Sequence, residues 1–138
     1  MTAFVLDASV AIAGLSPDEN NAASSDLIER AIIESVAVPA LWFYEVANIC
    51  MLKLQRGLLQ PEEHRAMLTD IANLSVECDA GALQDQCEAA SALALRHNLT
   101  VYDAAYLELA LRLKLPLATL DTRLANAART EGLTILPG

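Results

Sequence analysis

Four acids stand where a strand or a helix can carry them to one end of the molecule. Asp7 follows the apolar run 3–6 and Asp121 follows the run 117–120. Glu45 interrupts an apolar helix, and Asp103 lies in the first turn of a later one. Three of them have an ordinary structural role open to them. Asp7 and Asp121 can cap the helices that follow, and Thr100 can cap a helix with Asp103 as its capping-box partner three residues on. Glu45 has no such role at mid-helix, and an acid in apolar surroundings needs a partner, a proton or a metal. Four carboxylates in a poorly hydrated cleft repel strongly, so they take up protons or hold a cation. Oxygen donors without histidine or thiolate favour Mg²⁺ or Mn²⁺. The natural substrate of such a centre is a phosphate, whose charge the metal neutralises while lowering the pKa of a bound water.

Apolar runs at 3–6, 36–38, 74–78, 117–120 and 133–136 read as five strands. Ala8–Ala13 turns into a short helix with Gly14 as its stop. Ser16-Pro17-Asp18-Glu19 has the form of a cap, a proline at the first helical position and a box glutamate, so a helix is expected from there to about 35. Further helices are expected at 41–55, 61–73, 82–97, 103–113 and 124–129. The helix 41–55 is apolar nearly all round and reads as buried, with Glu45 and Asn48 on one face. Alternating strands and helices imply an α/β fold on a parallel sheet with right-handed crossovers. In such sheets ligands bind beyond the carboxyl ends of the strands, where the winding reverses. If the first and fourth strands are neighbours there, Asp7 and Asp121 meet, with Asp103 close by.

The chain has 138 residues, a length that suits one domain spanning 1–138. It is 54% hydrophobic, with a mean hydropathy of +0.34. That suits helices on both faces of a buried sheet, and leaves apolar surface for a partner chain. No apolar run is long enough to span a membrane and no secretory signal is recognisable, so a cytoplasmic protein is expected. Cys50, Cys78 and Cys87 are scattered and odd in number, which reads as reduced core thiols. The net charge of −9 weighs against nucleic-acid binding. Cations bound among clustered acids would offset part of it, and basic residues grouped in space, such as Lys53 and Arg56 on one helix end, would offset more.

Val5-Leu6-Asp7-Ala8-Ser9, Tyr44-Glu45-Val46-Ala47-Asn48, Thr100-Val101-Tyr102-Asp103-Ala104-Ala105-Tyr106 and Ala118-Thr119-Leu120-Asp121 together resemble the four acidic motifs of PIN-domain ribonucleases. Within that family the chain is most similar to the small VapC-type toxins of toxin–antitoxin pairs, along essentially its whole length. The resemblance implies a PIN-like three-layer fold with about five parallel strands flanked by helices. It implies a Mg²⁺- or Mn²⁺-dependent endoribonuclease that hydrolyses RNA with metal-activated water, leaving a 5′-phosphate and a 3′-hydroxyl. It also implies a homodimer and a cognate antitoxin. By position, Asp7 and Asp103 resemble the principal metal ligands, Asp121 the fourth acid, and Glu45 the acid that binds metal or places the water. Ser9, Thr119 and Asn48 stand where the family supports the metal shell.

The remaining residues that could do chemistry read as structural. Tyr102, Tyr106, Trp42 and Phe43 suit a core or a dimer face, and His64 and His97 a helix surface. Lys53, Arg56, Arg96 and Arg123 are the candidate RNA contacts. A phosphorylated receiver domain would need paired acids after its first strand, where Asp7 is followed by Ala8-Ser9; a haloacid-dehalogenase-like phosphatase would need an acid at position 9. A catalytically silent PIN-like interaction module is the non-enzymatic alternative, against which the four intact acids stand.

Overall fold

The computed structural model of the protein describes residues 2–19, 21–79 and 81–138. The strands β1 (Thr2–Leu6), β2 (Ser35–Pro39), β3 (Val76–Asp79), β4 (Leu117–Ala118) and β5 (Ile135–Leu136) form one parallel sheet in the order β3-β2-β1-β4-β5. Around it lie α1 (Ala8–Leu15), α2 (Ala22–Ile33), α3 (Leu41–Gln55), α4 (Pro61–Ala72), α5 (Leu83–His97), α6 (Val101–Leu113) and α7 (Thr122–Thr130). β1 is central because Phe4, Val5 and Leu6 are all fully buried and so need cover on both faces. From β1 the chain winds outward to β2 and β3, then crosses back to β4 and β5. The winding therefore reverses between β1 and β4, which meets the condition for Asp7 and Asp121 to come together. Helix α6 packs against β1, β2 and β4, burying Ala104, Tyr106, Leu107, Leu109 and Ala110.

Several boundaries differ from the sequence expectation. Gly14 does not stop α1, which runs to Leu15. A Cβ there would lie 2.8 Å from the Ser24 carbonyl oxygen and would clash with Ile28, so glycine serves the close approach of α1 and α2. The next helix does not begin at Ser16. It begins at Ala22, with the Asn21 side chain accepting from Ser24 N at 2.9 Å. Asp18 and Glu19 instead hold the Lys53 ammonium, each at 2.8 Å, so Lys53 is tied down and does not form a free basic end with Arg56.

Helix α3 is not buried all round. Trp42, Val46 and Cys50 face the core, whereas Phe43, Tyr44, Met51 and Leu52 are exposed. In α5 the expected stripe is buried only at Ala90, Leu93 and Ala94; Leu83 and Cys87 are exposed. Cys78 is exposed too, so of the three thiols only Cys50 belongs to the core. Asn98 ends α5 in the left-handed region at φ 54°, which asparagine tolerates, and this turns the chain so that Thr100 can cap α6. Among the described residues no helix is long and apolar enough to cross a membrane.

Candidate functional site

The site is built on the tips of β1 and β4. Their pairing, Val5 with Leu117 and Leu6 with Ala118, brings Asp7 level with Thr119, and Asp7 N donates to Ala118 O at 3.0 Å. Asp7 is only 7% exposed. It occupies the N-cap position of α1 without making a side-chain cap. Its Oδ2 instead accepts from Ser9 Oγ at 2.8 Å and from Thr119 Oγ1 at 2.6 Å. The same two hydroxyls each accept a backbone N–H from the turn between β4 and α7. Ser9 Oγ accepts from Leu120 N and Thr119 Oγ1 from Asp121 N, both at 3.0 Å. Ser9 and Thr119 therefore fasten that turn to Asp7 and set the carboxylate's orientation.

Glu45 projects from α3 and is half-buried. Its Oε1 accepts a hydrogen bond from the Tyr106 hydroxyl of α6. Asp103 lies in the first turn of α6, where its backbone N donates to Thr100 Oγ1 at 3.1 Å, one half of the expected box. Asp121 does cap α7, accepting from Leu124 N at 3.1 Å through Oδ1. The N-termini of α1, α6 and α7 thus converge on the acids, and their partial positive charge helps to hold them there.

Burial raises the Asp7 pKa, against the lowering by the Thr119 and Ser9 hydroxyls, and the charge of Asp103 adds to the rise. Burial likewise raises Glu45, which also feels Asp7 and Asp103. Asp103 is raised by burial and then by Asp121. Asp7, Glu45 and Asp103 are thus within electrostatic reach of one another, with Asp121 in reach of Asp103. None of the four has a lysine, arginine or histidine within ion-pair distance among the described residues.

An all-oxygen donor set carrying uncompensated charge suits a hard divalent cation. Among the described residues no three carboxylates stand close enough together to hold one ion between them. Mg²⁺ does not require three, since it keeps several waters and binds through one or two carboxylates.

Asn48, on the same helix as Glu45, is exposed and makes no side-chain hydrogen bond to the acids among the described residues. Tyr106, which the sequence places in the core or on a dimer face, has a further role. It is fully buried, yet its hydroxyl serves Glu45. Burial and then the neighbouring Glu45 push its pKa far up, so it remains a donor. Its spacing of three from Asp103, on one face of α6, was the available signal. His97 is not a surface residue: its side chain is 9% exposed, and Nε2 lies 2.6 Å from Glu131 Oε2.

The PIN domain family model matches residues 4–130. The chain is 39% identical over 129 residues to Ribonuclease VapC3 of Pyrobaculum aerophilum, covering 89% of this chain and 92% of that one. Among solved structures it is similar to PAE2754 of Pyrobaculum aerophilum, with a TM-score of 0.73 at 21% identity over 98% of this chain and 84% of the other. It is also similar to FitAcB of Neisseria gonorrhoeae, with a TM-score of 0.63 at 19% identity over 96% and 95%. The PIN-like fold expected from the four motifs is therefore the one observed, and the chain belongs to the PIN-domain family, among its VapC-type members.

Proposed function

We propose that the chain is a Mg²⁺- or Mn²⁺-dependent endoribonuclease, the toxin of a toxin–antitoxin pair. The observation that carries this reading is the set of four acids without cationic partners at the β1/β4 switch point, in a chain 39% identical to Ribonuclease VapC3. A divalent cation bound there would neutralise phosphoryl charge and acidify a water. Asp7 and Asp103 are the acids to hold it directly, with Asp121 and Glu45 acting on it through its waters. Asp7 is kept in one orientation by Ser9 and Thr119, so little reorganisation accompanies binding. With Oε1 of Glu45 taken by Tyr106, Oε2 is the atom left to accept a proton from the attacking water. The raised pKa of Glu45 brings it nearer to what a general base at neutral pH needs. The water oxygen forms the new P–O bond, the bond from phosphorus to the 3′ oxygen breaks, and the 3′ oxygen takes a proton from solvent. The products are a 5′-phosphate and a 3′-hydroxyl.

The same reading includes a homodimer and an antitoxin. Phe43, Tyr44, Val101 and Tyr102 are exposed beside Glu45 and Asp103, with Tyr44 83% and Tyr102 67% accessible. Large apolar groups left open next to a site are the kind of surface that partners cover. The test is cleavage of a mixed RNA pool by the purified chain with Mg²⁺, Mn²⁺ or EDTA, beside Asp7→Asn. Metal-dependent cuts that vanish in the variant support the enzyme. Absence of both cleavage and calorimetric metal binding would leave only a PIN-like interaction module.

A further inference from the structure

We infer that the flank of α7 forms a phosphate-binding track that holds the RNA backbone next to the acids, an inference that rests on the nuclease reading above. An open depression of about 250 Å³ lies there, lined by Arg123, Asn126, Ala127 and Thr130 of α7 and by His97 at the end of α5. Positions 123, 126, 127 and 130 share one helix face. The small Ala127 is buried and forms the floor between the exposed Arg123, Asn126 and Thr130. The depression begins two residues beyond Asp121. With a rise of 1.5 Å per residue it extends about 10 Å along the helix, away from the acids.

The charge of this flank runs against that of the chain. The protein carries 18 acids, yet α7 holds two arginines and no acid. Glu131, just past the helix, is already occupied by Arg96 at 2.9 Å and by His97. Arg96, Arg123 and Arg129 against Glu131 leave a local excess of positive charge, beside a cluster that is wholly negative. Arg123 has no carboxylate within ion-pair distance among the described residues; Arg56, Arg65, Lys114 and Arg129 are likewise unpaired, but of these five only Arg123 lines the depression. Arg129 Nη1 donates to Asn126 Oδ1 at 3.4 Å, which fixes that carboxamide with its NH₂ group left as a donor. A guanidinium and an amide NH₂ along one groove are the donors that phosphate oxygens accept. Their position relative to Asp121 makes the bound phosphate a neighbour of the one to be cut. This is also how a chain of net charge −9 can hold RNA: the attraction is local.

The test measures binding of a short fluorescein-labelled oligouridylate in EDTA, where no cleavage intervenes, as a function of salt. It compares the wild type with Arg123→Gln, Asn126→Asp and the control Arg65→Gln, an exposed arginine of α4. Arg123→Gln should raise Kd severalfold and lower the slope of log K against log salt by about 0.7, the value for one phosphate contact on a single strand. Asn126→Asp should weaken binding further, and Arg65→Gln should match the wild type. In a parallel cleavage assay Arg123→Gln should raise KM with little change in kcat. Unchanged Kd and slope in Arg123→Gln, or no binding by the wild type, overturns the track whether or not the chain cleaves RNA. Arg123-dependent binding without metal-dependent cleavage supports the track and overturns the nuclease reading instead.

Discussion

Replacing Thr119 by valine tests whether the hydroxyl clamp organises the site. Valine keeps the shape of threonine but removes one group that makes two bonds, the donation to Asp7 Oδ2 at 2.6 Å and the acceptance from Asp121 N at 3.0 Å. The first is a charge-assisted bond to a buried carboxylate, a class worth about 1.5–3 kcal/mol; the second is an ordinary one worth about 0.5–1.5 kcal/mol. The two together give a loss of about 3 kcal/mol. At an unfolding entropy of about 2.1 cal/mol/K per residue, that lowers Tm by roughly 10 °C for a chain of this length. The clean measurement is a urea unfolding midpoint at neutral pH with an unchanged m-value.

The decisive form is a double-mutant cycle with Asp7→Asn. In that background the carboxylate charge is gone, while the amide oxygen still accepts from Ser9 and Thr119. Thr119→Val should then cost only about 2 kcal/mol, the sum of two neutral bonds. Asp7→Asn alone should cost little stability or even add some, because it removes a buried charge that has no cationic partner, while it abolishes cleavage. If Thr119→Val costs the same in both backgrounds to within about 0.5 kcal/mol, the hydroxyl does not act through Asp7, and the description of the clamp is wrong.

Three other outcomes follow from the same geometry. Tyr106→Phe removes the only side-chain donor to Glu45 among the described residues. It should lower kcat at least tenfold while costing about 1 kcal/mol of stability, since Glu45 is half-open to water; a kcat equal to wild type would show that Glu45 needs no positioning. Gly14→Ala forces a methyl against Ser24 and Ile28 where α1 meets α2. It should destabilise by about 1–3 kcal/mol, read as a lower urea midpoint, with cleavage per folded molecule unchanged. The third concerns pH. The folded chain binds protons at Asp7, Glu45 and Asp103 more tightly than the unfolded chain, because burial raises all three. Their stabilising contribution is full below the ordinary values of 3.8 and 4.5 and is lost as pH rises through the raised ones. Without divalent cations, calorimetric Tm should therefore rise as pH falls from neutral toward 5, and an Asp7→Asn/Asp103→Asn variant should lose most of that rise. Asp18 and Glu131 act in the opposite sense, because their pKa values are lowered and their contribution vanishes only at more acid pH.

The sequence was most legible where one local rule sufficed. The β1 and β4 runs end in acids, and the alternation of strands and helices implies a parallel sheet with its ligand site at the strand tips. That β1 and β4 are neighbours is the condition for Asp7 and Asp121 to meet; the pattern leaves the strand order open, and the observed order β3-β2-β1-β4-β5 meets the condition. What pattern could not supply is long-range pairing. Pro17 after Ser16 has every local mark of a helix start, but the helix begins at Ala22 behind an Asn21 cap, and Asp18 and Glu19 are held instead by Lys53, 35 positions away in the case of Asp18. Tyr106 looked like core because it is core; its hydroxyl becomes functional only through Glu45, 61 positions earlier. The apolar composition of α3 was read as burial, but a helix whose exposed face carries Phe43 and Tyr44 shows that hydrophobicity reports a wish for cover without saying by what.

The net charge shows the same limit from the other side. Summed over the chain, −9 argues against RNA, yet the sum is indifferent to where the charges stand. Asp7, Glu45, Asp103 and Asp121 are drawn together without a cationic partner among the described residues, while the helix immediately following Asp121 contains no acid at all. A phosphodiester strand approaching along α7 would meet arginines first and carboxylates last. That ordering suits a site whose acids must wait for a cation before a phosphate can enter, and it makes the acidity of the whole chain a poor guide to what this basic flank can hold.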